Sequence, residues 1–309
     1  MDSVLGTSLL KFSVDIYKQL YLGSECHGNI FYSPFSIAAA LSMTLAGARN
    51  RTAQQLRDAL HVTNEQSHHR HFSSFLRDKI SGYAPDVKLH VANRIYRERS
   101  FGRLPHFDWV ELVTSSKIKD LLPPGIVDSW TLLVLVNAVH FKGLWKDQFD
   151  SLCTQRHDFY LDSSNKKAVE MMVQNNDYRM ARSDELKLTA LEVPYKCLNT
   201  SLVILLPQDV DGIDFLSNNC IGVKDLFSTD CDLSGICENS KVSVTKVIHK
   251  AYMEINEEGT EAAAATAEIV LECLLISRKI RFVVDHPFLF LIMCNDPELV
   301  LFMGSVREL

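Results

Sequence analysis

Residues 257–275 read EEGTEAAAATAEIVLECLL, a composition unusual for either a helix or a loop. Alanine favours helices, but the glycine, the threonines and the Ile-Val-Leu run that follows do not. In a strand, alternate side chains face the same side. One such face carries Thr260, Ala262, Ala264 and Thr266, which are all small and uncharged. The stretch is therefore suited to entering a sheet as a strand beneath a covering layer.

Two acidic residues mark the two faces of that hypothetical strand. Glu261 falls on the opposite, outward face, whereas Glu268 shares the inward parity. Gly259 supplies a flexible point at the start. A charge on the inward face would carry a desolvation cost, so Glu268 conflicts with an otherwise consistent pattern.

The flanking sequence predicts a mixed α+β chain, with helices first and long strands later. KVSVTKVIHKAYMEINEEG (241–259) alternates and predicts a strand that leads into the opening stretch. TLLVLVNAVHFKGLW (131–145) is almost continuously apolar, which is typical of a central strand covered on both faces. Earlier segments have helical period, and one helix begins at Ser33-Pro34 and ends at Gly47. In the first helix the predicted buried face is Leu9, Phe12, Ile16 and Leu20, and Thr52 is the predicted N-cap of a third helix.

Composition excludes several classes of protein. The 309 residues are 47% hydrophobic with a net charge of -6, which allows a large core and argues against nucleic-acid binding. No apolar run approaches the roughly 20 residues of a membrane span. The N-terminus has no apolar signal-peptide core, so we expect a cytoplasmic protein; the alternative is an extracellular one, through leaderless release or a signal already removed. The eight cysteines form no C-x-x-C pair, and we expect free thiols.

Polar residues inside apolar strands are the candidates for a structural cluster. Asn137 and His249 each need hydrogen-bond partners if they are buried, and they can bond each other or Ser33 and Ser36. No G-x-S-x-G or phosphate-binding loop occurs, and we interpret the histidines at 68–71 as a solvated helix face. We therefore expect neither an enzyme nor a metal or cofactor site.

Five segments, in this order, resemble the serpin family: 29–56, 133–145, 191–195, 255–267 and 285–292. The segments are NIFYSPFSIAAALSMTLAGARNRTAQQL, LVLVNAVHFKGLW, LEVPY, INEEGTEAAAATA and DHPFLFLI. Together they span nearly the whole chain. The leaderless start and the segment EEGTEAAAATA most resemble the ovalbumin-like branch of that family. The resemblance implies a single serpin domain over residues 1–309: N-terminal helices around a central mixed β-sheet, further sheets, and an exposed reactive loop at about 257–280.

The resemblance also implies a serine protease inhibitor that acts as a suicide substrate. A protease cuts the reactive loop, remains bound as an acyl-enzyme, and is carried along as the loop inserts into the central sheet. Family spacing from Glu257 places the scissile bond at Cys273-Leu274, with Leu274 or Leu275 as the alternative cleavage position and Arg278 a weaker one. A small apolar cysteine suits elastase-like or chymotrypsin-like pockets. The implied partners are such serine proteases, and also cysteine proteases; we expect a monomer that binds neither nucleic acid nor membranes.

Two further sets of residues carry over from the family. Ser33, Ser36, Asn137 and His249 resemble the shutter beneath the opening sheet, and Trp145 resembles the tryptophan of the breach, where insertion begins. The hinge of the loop is implied to be Glu257, Glu258, Gly259, Thr260, Glu261, Ala262, Ala263, Ala264, Ala265 and Thr266.

The chain departs from the family at two internal positions. A few dozen residues are missing after Phe107 and again after Asn219, with the usual basic partner of Glu257 in the second block. We expect both edges of the central sheet and one covering helix to be incomplete. The alternative function is therefore a truncated, non-inhibitory isoform that is only a protease substrate or binding partner.

Overall fold

The computed structural model of the protein describes residues 3–23, 28–75, 87–97, 133–196, 199–213, 246–253, 255–259 and 281–309. Helices dominate the first part of this described chain, and strands dominate the rest, as predicted. In chain order the elements are α1 (Ser3–Gly23), β1 (Ile30–Tyr32), α2 (Pro34–Gly47), α3 (Asn50–Ala59), α4 (Glu65–Ser74), β2 (Val87–Arg97), β3 (Leu133–Gly143), β4 (Gln155–Tyr160), β5 (Lys166–Met171), β6 (Arg179–Ser183), β7 (Leu188–Pro194), β8 (Thr200–Pro207), β9 (Lys246–Tyr252), β10 (Phe288–Asn295) and β11 (Glu298–Val306).

Helix α2 begins and ends where the sequence predicts. The Ser33 hydroxyl accepts a hydrogen bond from the backbone N–H of Ser36, and Pro34 occupies the first turn. Ala38, Ala39 and Ala40 are buried, and such small side chains let the helix approach its neighbours closely. Helix α2 contacts β2 and β3 on one side and β11 on the other, so it connects two sheets.

The predicted face of α1 is only partly correct. Leu9 and Phe12 are buried in the main core, but Leu20 is 43% exposed. The last turns of the helix instead pack through Tyr17 and Tyr21 against a second apolar cluster. The buried face therefore rotates along the helix, which a single-stripe projection does not capture.

Two predictions about α3 and α4 are wrong. Thr52 is not the N-cap, because α3 already begins at Asn50, and the threonine is buried inside the helix. His68 is not solvated: α4 packs onto α2, and the His68 Nε2 lies 2.8 Å from the Ser42 hydroxyl. Burial, with His69 and His71 adding to it, lowers the pKa of His68 to about 4.

The described part of the central sheet has three strands in the order β2-β3-β9. β2 runs antiparallel to β3, whereas β9 runs parallel to it. Residues 134–141 of β3 are buried without alternation, as predicted for a central strand. β2 and β9 are the outermost strands of this sheet among the described residues.

A second sheet has six strands in the order β1-β11-β10-β8-β7-β6, and its Phe302 meets the edge of Phe141 in β3. β7-β8 and β10-β11 are antiparallel neighbours in this second sheet, while β4 and β5 form a separate two-stranded sheet. No helix among the described residues is long and apolar enough to cross a membrane.

Gly304 allows the closest approach within the six-stranded sheet. A Cβ added there would lie 2.3 Å from the carbonyl oxygen of Ile30 and 2.9 Å from the ring of Phe290. We expect Gly304→Ala to lower the free energy of unfolding by about 1–3 kcal/mol, because backbone and ring must both shift. The matched control is Gly28→Ala, since nothing lies within 4 Å of an added Cβ at that position. Equal denaturation midpoints for the two variants would contradict this packing.

Candidate functional site: the seam of the central sheet

β3 and β9 pair in parallel from Val134 opposite Lys246 to His140 opposite Tyr252. We call this ladder, residues 134–140 and 246–252, the seam. Residues in the seam pair with a constant offset of 112 positions, which places Asn137 directly opposite His249. A parallel ladder is somewhat less stable per residue than an antiparallel one. The seam is therefore a place where the sheet could be separated.

A polar cluster joins the two strands of the seam to α2 and β2. It consists of Ser33, Ser36, Asn93, Asn137 and His249. The His249 Nδ1 hydrogen-bonds the Asn137 side-chain oxygen across the seam. The Asn137 amide donates to the Ser36 carbonyl at 2.7 Å and to its hydroxyl at 2.6 Å, and also to Asn93. The predicted contact between Asn137 and His249 is thus present, and Ser36 is a further partner of Asn137.

The imidazole of His249 is satisfied only in its neutral form. The Ser33 backbone N–H donates to Nε2 at 3.1 Å, so Nε2 is an acceptor and the proton resides on Nδ1, which donates to Asn137. Burial lowers the pKa of His249 to about 4. A second proton would place the Nε2–H against the Ser33 N–H and would break this bond.

Beyond the seam the chain reverses in a tight turn, which we call the hinge turn (Asn256–Gly259). The backbones of Asn256 and Gly259 exchange two hydrogen bonds, at 2.8 and 3.2 Å. The Asn256 side chain also accepts from the N–H groups of Glu258 and Gly259, at 3.2 and 3.1 Å. These bonds fix the backbone of the turn at Gly259.

Gly259 lies between the two strands of the central sheet. It forms antiparallel bridges to Asn256, just beyond β9, and to Leu144, just beyond β3. A Cβ added to Gly259 would lie 2.3 Å from the Gly143 carbonyl oxygen and 2.7 Å from the Trp145 nitrogen, and its φ of +133° also favours glycine. Gly259 therefore pairs with residues just beyond both strands of the seam.

Trp145 donates two hydrogen bonds to the hinge turn. Its indole N–H donates to the Asn256 carbonyl at 2.8 Å, and its backbone N–H donates to the Glu258 carbonyl at 3.0 Å. The ring stacks on Tyr195 with centroids 4.6 Å apart and meets the edge of Phe149. The tryptophan predicted at the start of insertion thus contacts the hinge directly.

The side chain of Glu257 bonds a neutral partner. Its carboxylate accepts a hydrogen bond from the Thr154 hydroxyl at 2.6 Å. This bond, with one from its own backbone, holds the pKa of Glu257 below its usual range. Its backbone carbonyl accepts from the Phe149 N–H at 2.8 Å, so side chain and backbone both anchor the turn.

The predicted site residues fall into two groups. Ser33, Ser36, Asn137 and His249 form the polar cluster, while Trp145, Glu257, Glu258 and Gly259 form the junction above it. The remaining residues lie outside the described ranges: Thr260, Glu261, Ala262, Ala263, Ala264, Ala265, Thr266, Cys273 and Leu274.

Sequence reasoning missed Asn93 and Asn256. Asn93 lies on β2 directly opposite Asn137, and it carries the same signal, a polar residue within a strand of apolar alternation. Asn256 precedes the acidic pair and looked like ordinary turn sequence. Its role depends on backbone donors two and three residues away, a pattern typical of asparagine turns.

A family model described as serpin (serine protease inhibitor) matches residues 7–108, 108–221 and 218–309. The match divides at the two positions where the sequence predicts missing segments. Ipis-1 of Ixodes persulcatus is 45% identical across the whole of both chains, and the alignment runs over 379 positions, 70 more than this chain has residues. Leukocyte elastase inhibitor of Homo sapiens is 33% identical over 97% of this chain and 98% of that protein.

Solved structures show the same architecture. Serpin48 of the insect Tenebrio molitor matches with a TM-score of 0.84 and 26% identity, over 98% of this chain and 97% of that one. Uncleaved ovalbumin matches with a TM-score of 0.83 and 26% identity, over 99% of this chain and 100% of that one.

The protonation of His249 predicts a pH dependence of stability. Because its folded pKa is depressed to about 4, its contribution is complete above pH 6.5 and is lost as the pH falls toward 4. We expect the free energy of unfolding to fall by up to about 1.4 kcal/mol per pH unit in this window for each such histidine. His249→Gln keeps an amide donor and acceptor but cannot take up the proton. It should therefore reduce that slope by up to about 1.4 kcal/mol per pH unit.

His68→Gln is the matched control, since His68 has a similarly depressed pKa outside the seam. Each single variant should remove one proton of uptake, and the double variant should remove two. Chemical denaturation at pH 7.5, 6, 5 and 4.5 measures the slopes. A slope in His249→Gln equal to that of the unmodified chain would show that His249 is not held neutral by its partners.

Proposed function

The chain belongs to the serpin family of serine protease inhibitors, and we propose that it works as a suicide substrate whose cut loop becomes a strand of the central sheet. The observation that carries this proposal is the placement of Gly259. It bridges Leu144 and Asn256 at the point where the seam parts. A strand that continued from it would have a partner on each side.

The two bridges fix the register that such a strand would adopt. Antiparallel pairing from Gly259 opposite Leu144 and Asn256 places each later loop residue one position further down both strands. Thr266 then falls opposite both Asn137 and His249, whose own pairing has the same offset. The inserted strand would therefore replace the bond between these two side chains and offer them a hydroxyl.

The same register explains why small side chains alternate along the loop. Residues directly opposite in a ladder share a face, so the even-numbered loop residues share the face of Asn137, which bonds Ser36 of α2. Thr260, Ala262 and Ala264 would enter on this inner face of the sheet and add little volume to the core. Glu261 would point to the other face.

The chemical step belongs to the attacking protease. Its serine oxygen would add to the carbonyl carbon of Cys273, the peptide bond to Leu274 would break, and the new amine of Leu274 would take a proton from the protease histidine. The ester that remains joins the protease to the cut loop. Insertion would then move the ester away before water hydrolyses it.

We propose elastase-like and chymotrypsin-like serine proteases as targets. Cys273 is small and apolar, whereas a trypsin pocket requires a cation. The similarity to leukocyte elastase inhibitor of Homo sapiens supports the same class. Cysteine proteases are a second class that the loop could engage, and the inhibitor would act as a monomer.

A non-inhibitory chain is the second candidate function. Two observations favour it: the central sheet has three strands in the described part of the chain, and the alignment with Ipis-1 is 70 positions longer than this chain. An incomplete sheet has less strain to release on insertion and exposes edges that invite association. Such a chain would be cut in its loop without trapping the protease.

Mixing the purified chain with elastase or chymotrypsin distinguishes the two candidates. An inhibitor should yield a covalent band on a denaturing gel, sized near the sum of both proteins and resistant to heating. A protease with its active-site serine blocked is the control and should give no band. Cleavage of the loop without any such band would exclude suicide inhibition and leave the substrate function.

Thr260→Arg tests insertion, because the first inward side chain would then bring a charge opposite Gly143, into the apolar surroundings of Tyr195 and Phe141. We expect the fraction of encounters that end in the covalent band to fall at least tenfold, with cut chain accumulating instead. Glu261→Arg introduces the same charge on the outward face and should stay within about twofold of the unmodified chain. Equal losses in both variants would contradict the proposed register.

A further inference from the structure

The hinge turn rests on a short stretch of backbone just beyond β3, which we call the bridging segment (residues 145–149). The Trp145 N–H donates to the Glu258 carbonyl at 3.0 Å, and the Phe149 N–H donates to the Glu257 carbonyl at 2.8 Å. These two donors lie at the two ends of the segment. The position of the hinge turn therefore depends on where the backbone of the bridging segment is held.

The side chain of Gln174 holds the middle of the bridging segment. Its amide nitrogen donates to two successive carbonyls, that of Asp147 at 3.1 Å and that of Gln148 at 2.8 Å. A primary amide nitrogen carries two hydrogens, so it can serve both carbonyls at once. The beginning of the segment is held separately, by a bond of 3.0 Å from the Lys146 N–H to the Pro194 carbonyl.

Tyr178 determines which way the amide of Gln174 points. The phenol hydroxyl donates to the Gln174 side-chain oxygen, so the nitrogen faces the two carbonyls. The opposite orientation would set an oxygen against two carbonyl oxygens and the hydroxyl against a donor. Burial, followed by the nearby negative charge of Asp147, raises the pKa of Tyr178, so the phenol keeps the proton that it donates.

Gln174 belongs to a part of the chain outside the central sheet. It lies in the connection from β5 to β6 (residues 172–178) and bonds carbonyls of the bridging segment, while N–H groups of the same segment bond the hinge turn. The side chain of Gln148 adds a bond of 3.3 Å to the Glu258 carbonyl. One hydrogen-bonded path thus joins the β5-β6 connection to the hinge turn.

We propose that Gln174 is a positioning residue for the hinge turn, because it fixes the segment whose N–H groups hold the carbonyls of Glu257 and Glu258. This positioning is a property of the uncut chain, and only its effect on inhibition rests on the proposed insertion of the loop. A turn held with Gly259 in the register of the seam lets insertion start without a slip. A displaced turn would delay insertion and give the protease more time to hydrolyse its ester.

Four variants isolate this role. Gln174→Glu turns carboxylate oxygens toward the two carbonyls, and Gln174→Met keeps the length without any donor. Tyr178→Phe removes only the hydroxyl that orients the amide. The matched control is Asn175→Asp, which makes the same change from amide to carboxylate on the exposed side chain of the next residue.

Hydrogen–deuterium exchange on the uncut chain, resolved to single amides by mass spectrometry, measures the position of the turn. We expect exchange at Trp145, Phe149 and Gly259 to accelerate about tenfold in both Gln174 variants and about threefold in Tyr178→Phe. Exchange in β10 and β11 should stay unchanged, which separates lost positioning from a general loss of stability. Asn175→Asp should match the unmodified chain throughout.

The effect on inhibition is measured with elastase on a denaturing gel. We expect the fraction of encounters that end in a covalent band to be about threefold lower in Gln174→Glu than in Asn175→Asp, with cut chain accumulating instead.

The outcomes separate the positioning from the proposed function. Equal exchange in Gln174→Glu and Asn175→Asp would overturn the role of Gln174. Faster exchange at Trp145 and Phe149 without any change at Gly259 would also overturn it, because the bridging segment would then be held without positioning the turn. If exchange changes as expected but even the unmodified chain gives no covalent band, the positioning stands and suicide inhibition fails.

Discussion

The parallel pairing of β3 with β9 is the constraint on which the site depends. Two strands that run side by side in the same direction can, once they separate, both bond one antiparallel strand between them. The hydrogen bond from His249 to Asn137 closes the middle of this ladder, and α2 holds its inner face through Ser33 and Ser36. The same contacts that stabilise the closed sheet define what an entering strand must replace.

The residues that bridge Gly259 continue the register of this ladder. Leu144 and Asn256, which flank Gly259, differ by 112 positions, the same offset as Asn137 and His249. A strand that starts at Gly259 therefore meets matched residues on both sides at every step and requires no slip in register. Trp145 and the side chain of Asn256 hold this starting point in place. The hinge turn and the polar cluster are two ends of one ladder.

Much of this was accessible from the sequence, and the failures have physical causes. The start of α2 followed from Ser33-Pro34, and the pairing of Asn137 with His249 followed from the need of two polar groups in apolar strands. Leu20 and Thr52 were misplaced because the packing of the second apolar cluster and the actual start of α3 are tertiary effects. His68 was judged by its charged neighbours, although its partner Ser42 lies on another helix. The position of Gly259 between two strands could not be derived from local pattern, because it depends on a turn and two distant strand ends.

The position of β11 has a consequence for how the chain acquires its structure during synthesis. β11 lies between β1 and β10, and its Leu301 carbonyl accepts the Ser33 hydroxyl at the start of α2. The amide of Asn29 bonds Arg307 and Glu308 in the same region. β1 and the cap of α2 therefore lack these partners until the ribosome has made residues 268 to 279 positions later. The N-terminal helices complete their packing only after the C-terminal strands have been synthesised.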